Sequence, residues 1–209
     1  VATAEDTIVA LGEMASRRGA VVLIDEVYRE AIHREGSNRP QVGMAAAIHP
    51  ACVSVSSLTK SYGLSGLRCG WAIAAPEIAE RIRRARDVVD AVGSYPAEVA
   101  SARAFDHIDV LADRASAIVE PNLSLVHAFI AGHGELDWVE PDAGTVAFPR
   151  LLGVDDTEPF VTRLLRDHGT AVVPGRFFAA PEYFRIAYGV AHDTLAAGLE
   201  AIEAALAAT

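Results

Sequence analysis

Apolar residues at Ile8, Val9, Leu11 and Met14 follow a helical period between Thr3, which can cap a helix, and Gly19, which can end one. The helical pattern is under way from Val1, as it would be in a piece of a longer chain. An unbroken apolar run, Ala20 to Ile24, then ends in Asp25-Glu26, and such a run predicts a strand buried on both faces of a parallel sheet. Ala51–Ser56 and Gly70–Ala74 read as two further strands. Pro76 opens a helical stretch from Glu77 to Asp90 whose arginines, Arg81 to Arg86, form a solvated charged face. Helix and strand in alternation predict an α/β layered domain.

After Pro96 the pattern changes. Helical stretches are expected at about Glu98–Phe105 and Leu111–Ala131, the second with Pro121 as a kink point. Short strands are expected at Leu136–Glu140, Thr145–Phe148, Ala171–Val173 and Phe184–Ala187, with helices at about Glu158–His168 and Thr194–Leu206. This half reads as a smaller α+β domain joined to the first near Glu120, giving expected domains 1–120 and 121–209.

Composition narrows the function. Of 209 residues, 51% are apolar and 22% charged, which excludes disordered and low-complexity classes. A net charge of −10 gives no basic footprint for nucleic acid or an anionic membrane surface, so neither partner is expected. No apolar stretch approaches the ~20 residues of a membrane-spanning helix, and with Cys52 and Cys69 read as free thiols the expected location is cytoplasmic. The histidines at 33, 49, 107, 127, 133, 168 and 192 include no closely spaced ligand pair, so no metal site is expected. Gly63, Gly66 and Gly70 fit no dinucleotide fingerprint.

One count changes the picture: among 18 basic residues Lys60 is the sole lysine. An arginine can hold a phosphate but cannot form an imine, whereas a desolvated lysine amine can attack a carbonyl. Lys60 lies in Ser56-Ser57-Leu58-Thr59-Lys60-Ser61-Tyr62-Gly63-Leu64-Ser65-Gly66-Leu67-Arg68-Cys69-Gly70-Trp71, at the end of an expected strand. Ligands of open α/β sheets sit outside the carboxyl ends of the strands, where this loop and Asp25 both fall. A hydroxyl at Ser57 and a guanidinium at Arg68 suit a phosphate monoester. Asp25 could hold a proton on a ring nitrogen, and Tyr28 could bond a ring oxygen.

Together these segments resemble the fold type I, class I/II pyridoxal-phosphate-dependent aminotransferases. The resemblance rests on Asp25-Glu26-Val27-Tyr28, Ser57-Leu58-Thr59-Lys60, Gly66-Leu67-Arg68-Cys69-Gly70-Trp71, Trp138-Val139-Glu140-Pro141-Asp142-Ala143-Gly144, Val173-Pro174-Gly175 and Phe184-Arg185-Ile186-Ala187, in family order. The early strands, phosphate-binding turn and Asn-Pro-x-x-Pro-Thr-Gly stretch of such enzymes are not among the 209 residues, so the likeness is to the family's C-terminal half. It implies part of the PLP-binding large domain, a mostly parallel sheet with helices on both faces, in residues 1–120, and the smaller α+β domain in 121–209. It implies pyridoxal 5'-phosphate as cofactor, bound as an imine on Lys60, which would also shuttle the substrate α-proton. Asp25 would pair with the ring nitrogen and Tyr28 with the ring oxygen. Ser57 and Arg68 would hold the phosphate, with Thr59 beside them, and Arg185 would clamp the substrate carboxylate. Amino-acid and 2-oxo-acid substrates and a homodimer follow from the same resemblance. Alternatives with the same apparatus are a lyase, a decarboxylase, an aminotransferase-like synthase, or a cofactor-binding sensor domain of a transcription regulator. Arg176, where the Pro-Gly-x-x-Phe segment departs from the family pattern, is read as a surface arginine.

Overall fold

The computed structural model describes residues 3–29, 43–142 and 144–207; Val1, His33 and Ala143, named above, lie outside them. The chain divides into two compact units, Val1–Asp113 with Asp142–Gly144, and Arg114–Pro141 with Thr145–Thr209. The division falls inside a single long helix.

In the first unit, α1 (Glu5–Ser16) is followed by β1 (Val22–Asp25), α2 (Ala45–Ile48), β2 (Cys52–Ser57), β3 (Gly70–Ile73), α3 (Pro76–Val89) and α4 (Tyr95–Phe105). The sheet order is β1-β2-β3, with β1 and β2 parallel and β3 antiparallel to β2. Ile8 of α1, Ala45 of α2 and Cys52 of β2 are buried together, with Val22, Ile24 and Ile48 packed against them. Here β1 departs from expectation. The helices cover only one of its faces, and Val21 and Leu23 on the other are 50% and 65% exposed. The start of α1 also differs. Its N-cap is Ala4, whose carbonyl oxygen accepts Thr7 and Ile8 N–H groups, and no side chain caps it. Glu5 and Asp6 supply negative charge to the first turn instead of a Thr3 hydroxyl. The helix stops at Ser16, and Gly19 turns the chain with φ 61°.

On α3 the arginines are solvated, as expected. Arg83 and Arg84 each place Nε 2.8 Å from the Glu80 carboxylate, and Arg86 pairs with Asp90 at 3.2 Å. Hydrogen bonds from Arg83 and then Arg84 hold the Glu80 carboxyl down at about 2.

The helix α5 (Ile108–Gly132) leads into the second unit, where β4 (Leu136–Asp137), β5 (Val146–Ala147), β6 (Arg150–Leu151), α6 (Glu158–His168), β7 (Val173–Pro174), β8 (Phe184–Ala187) and α7 (His192–Ala207) follow. The strands form an antiparallel pair β4-β6 and an antiparallel sheet β5-β8-β7. Phe184 and Ile186, alternating on β8, meet Leu164 of α6 and Leu195, Leu199 and Ile202 of α7 in one apolar core. Gly169 ends α6 in the left-handed conformation with φ 65°.

Pro121 stands inside α5 without ending it. The next residue, Asn122, is fully buried. Its Nδ2 donates to the carbonyl oxygens of Tyr188 and Val190, both at 2.8 Å, and its Oδ1 lies 2.8 Å from His192 Nδ1. Since Nδ2 is the amide donor, Oδ1 must accept, so His192 carries its proton on Nδ1. The amide thus ties α5 to the chain between β8 and α7. Replacing it removes the amide donor from a buried and a part-buried carbonyl, and Asn122→Ala is expected to cost about 2 kcal/mol, read as a lower midpoint in urea denaturation. An unchanged midpoint would count against the clamp.

Candidate active site

Strand β1 ends at Asp25, directly opposite Val55 of β2, and β2 runs on to Ser57. Paired residues of a parallel ladder share a face and alternate residues return to it. Asp25, Val55 and Ser57 therefore stand on the face opposite α1 and α2. Ser57 in turn pairs with Gly70, two residues beyond Arg68. Three of the expected site positions thus converge at one end of the sheet.

The exposed Asp25 uses one oxygen locally: Oδ1 accepts the Val27 N–H at 3.0 Å. Its Oδ2 accepts no hydrogen bond from the described residues. Tyr28 is half-buried, with Gly144 against its ring; a Cβ at Gly144 would lie 3.7 Å from Tyr28 Cδ1. Gly144 has φ 106°, which a residue with a side chain rarely adopts.

The loop after β2 folds on itself around the fully buried Leu58. Leu58 N–H donates to Cys69 O, Leu64 N–H to Leu58 O and Gly63 N–H to Lys60 O, with Gly63 at φ 69°. Thr59 N–H donates to Ser57 Oγ at 3.3 Å. Beside the lysine, Ser61 is buried and its Oγ–H donates to Val27 O at 2.8 Å. That bond ties the Lys60 loop to the segment following Asp25, although the two are more than thirty residues apart in sequence. The side chain of Lys60 is exposed, and neither it nor Arg68 forms an ion pair with a described residue. Arg68 follows a short 3-10 turn, Ser65–Leu67, in the left-handed conformation with φ 52°. That backbone costs a non-glycine residue of order 1 kcal/mol.

A cleft of about 790 Å³ opens beside Arg68, lined also by Leu67, Trp71, Ile82, Arg86 and Ser94. Lys60, Asp25 and Tyr28 do not line it. The expected site positions Asp25 and Ser57 stand at the sheet end, whereas the cleft lies between β3 and the helices after it.

Arg185 belongs to the second unit. It lies on β8 opposite Val173, half-buried, with its guanidinium carbon 5.1 Å from the centre of the Phe178 ring. The Phe178 ring meets Phe148 edge-on, and Phe148 stacks on Tyr183. No described carboxylate pairs with Arg185. Arg176, by contrast, is engaged: its Nε lies 2.8 Å from Glu158 Oε2 and its guanidinium covers Phe177.

Comparison with known proteins settles the family. The profile of "Aminotransferase class I and II" matches residues 1–202. The chain belongs to that family. It is 29% identical over 191 residues to capreomycidine synthase of Streptomyces vinaceus, covering 91% of this chain and 48% of the synthase. A PLP-dependent aminotransferase from Streptococcus suis superposes with TM-score 0.90 at 27% identity, over 100% of this chain and 54% of that one. The PLP-dependent cyclase OrfR superposes with TM-score 0.88 at 30% identity, over 100% and 56%. The fold is that of fold type I PLP enzymes, and this chain spans about half the length of the curated relatives it matches.

The cofactor that goes with this family is pyridoxal phosphate, and the donor set here fits it. A carboxylate with an uncommitted oxygen suits a protonated ring nitrogen, and a phenol suits a ring oxygen. The amine of the sole lysine suits an aldehyde, and the Ser57 hydroxyl with the Arg68 guanidinium, which forms no ion pair with a described residue, suits a phosphate. Sequence reasoning passed over one residue. Glu26 lies in the Asp25-Glu26-Val27-Tyr28 segment, where residue type alone gives it no role, yet its carboxylate accepts two hydrogen bonds to the one on Asp25.

Proposed function

We propose that this chain carries the lysine-bearing part of a PLP-dependent aminotransferase that moves an amino group between an amino acid and a 2-oxo acid. The observation that carries the reading is the placement of the sole lysine. Its loop is bonded through Ser61 to the chain just after Asp25, at the carboxyl end of two parallel strands. On this reading residues 1–120 form the second half of the cofactor-binding domain and 121–209 the small domain.

Bound pyridoxal phosphate supplies an aldehyde that takes up the amino group and a protonated ring that accepts the electron pair left when the Cα proton departs. The Lys60 amine would hold the cofactor by its aldehyde carbon and would carry the substrate's Cα proton. Asp25 Oδ2 accepts the ring N–H and keeps that nitrogen protonated. Tyr28 donates its phenolic proton to the ring oxygen. The Ser57 and Thr59 hydroxyls and the Arg68 guanidinium hold the phosphate. Arg185 clamps the substrate carboxylate as a bidentate pair, which fixes the direction of the Cα–H bond. The family resemblance supports a cytoplasmic homodimer. The exposed apolar residues Val88, Val89, Val92 and Tyr95, each at least 75% accessible, are compatible with a protein contact in that region.

Borohydride reduction of the protein loaded with pyridoxal phosphate is expected to fix one pyridoxyl group on Lys60, identified by peptide mapping. Incubation with amino acids and 2-oxo acids is then expected to yield the exchanged pair. A label mapping elsewhere would remove the basis of the assignment. A second reading, PLP-dependent cyclisation, is favoured by the likeness to the PLP-dependent cyclase OrfR, 30% identical over the whole of this chain. It differs in outcome: the amino nitrogen stays in the product and no 2-oxo acid is consumed.

A further inference from the structure

Among the described residues Glu26 takes part in five hydrogen bonds, one of them from the Arg29 N–H to its carbonyl oxygen at 2.9 Å. Its N–H donates to Val55 O at 2.8 Å, one residue beyond β1, and its carbonyl oxygen accepts the Ser56 hydroxyl at 3.3 Å. Its carboxylate oxygen Oε1 accepts both the Ala45 N–H and the Ser54 hydroxyl, each at 2.7 Å. Ser54, itself 2% exposed, accepts the Ala46 N–H at 3.0 Å. The carboxylate therefore serves the first amides of α2, one directly and one through Ser54, while it grips β2. Bonds of this charge-assisted type are the stronger class. The charge is felt nearby: the buried Cys52 thiol is pushed up, first by burial and then by Glu26.

Alternation along β1 gives this grip a purpose. Val22 and Ile24 pack toward α1 and α2, and Glu26 continues on their side. Asp25 points the other way, and Tyr28 follows two residues after Glu26. The end of β1 is thus pinned from behind at the residue between the two groups that would face the cofactor ring.

We propose that Glu26 is a positioning residue for Asp25 and Tyr28, acting through its paired bonds to Ala45 and Ser54. The proposal rests on the cofactor-site reading above. Losing the grip lets the strand end shift, so the ring contacts of Asp25 and Tyr28 loosen while the core contacts of the sheet remain.

The test compares Glu26→Leu, Glu26→Gln, Ser54→Ala and Asp25→Asn in the protein loaded with pyridoxal phosphate. Three quantities are read: the cofactor dissociation constant, the absorbance maximum of the bound cofactor, and the thermal midpoint. Glu26→Leu is expected to weaken cofactor binding about tenfold, the equivalent of one charge-assisted hydrogen bond, and to move the absorbance maximum in the same direction as Asp25→Asn. Glu26→Gln keeps an acceptor at Oε1 and is expected to restore most of both, which a general loss of stability would not. Should Glu26→Leu fail to fold, Ser54→Ala, which removes one of the two partners, decides the matter through a smaller change of the same sign. Glu26→Leu, or in its place Ser54→Ala, with native affinity and spectrum beside an altered Asp25→Asn would overturn the proposal alone. A native Asp25→Asn would overturn the reading beneath it as well.

Discussion

Lys60→Arg is expected to leave a folded protein that transfers no amine. The side chain is exposed and without an ion-pair partner among the described residues, so the substitution keeps the charge and removes no packing. What it removes is the only side-chain primary amine in the chain. A guanidinium stays protonated at any working pH and cannot condense with an aldehyde. The thermal midpoint without cofactor should match that of the parent, borohydride should fix no pyridoxyl group, and exchange between amino and 2-oxo acids should fall to background. Undiminished exchange would exclude the proposed mechanism.

Gly175→Ala is expected to be the most damaging single-methyl change to stability. Gly175 N–H donates to Tyr183 O at 2.7 Å, and Gly175 O accepts the Ala180 N–H, so residues 175 to 183 close into a tight loop. A Cβ at this position would collide with Ala180 O and come within 2.5 Å of Tyr183 O. Both are main-chain atoms and cannot swing aside. The loop must open, and Thr157, whose hydroxyl lies 2.6 Å from Tyr183 O, would be disturbed with it. Overpacking of this kind costs about 3 kcal/mol or more, a fall of roughly 10 °C in Tm for a chain of this size. Calorimetry reads it directly, and a Tm within about 2 °C of the parent would show that the loop yields more easily than its contacts imply.

Much of the fold was legible where local signals agree. The α6 bounds follow from a strong apolar stripe and a terminal Gly169, and those of β8 from Phe184 and Ile186 alternating with Arg185. The sequence missed α2 and β6 because four and two residues are too few to show a period. The apolar run at β1 could not reveal that only one of its faces would be covered, since Val22 and Leu23 are alike in composition and differ only in what packs on them. The Pro174-Gly175 pair was visible as a motif, yet the need for glycine comes from Ala180 and Tyr183, several residues on. At the candidate site, residue types alone singled out Lys60, the sole lysine. Glu26 stayed hidden because its partners, Ala45 and Ser54, are 19 and 28 residues away. A carboxylate's role as a brace exists only once the chain has brought those groups together.

The uncovered side of β1 has a practical corollary. Its strand closes the sheet at one border, and among the described residues nothing hydrogen-bonds to its outer main-chain row. With Leu23 bare beside that row, another extended segment has both a ladder to join and grease to bury. Concentration, more than heat, will therefore limit how this polypeptide can be handled on its own, and turbidity should rise with protein content well below the melting range.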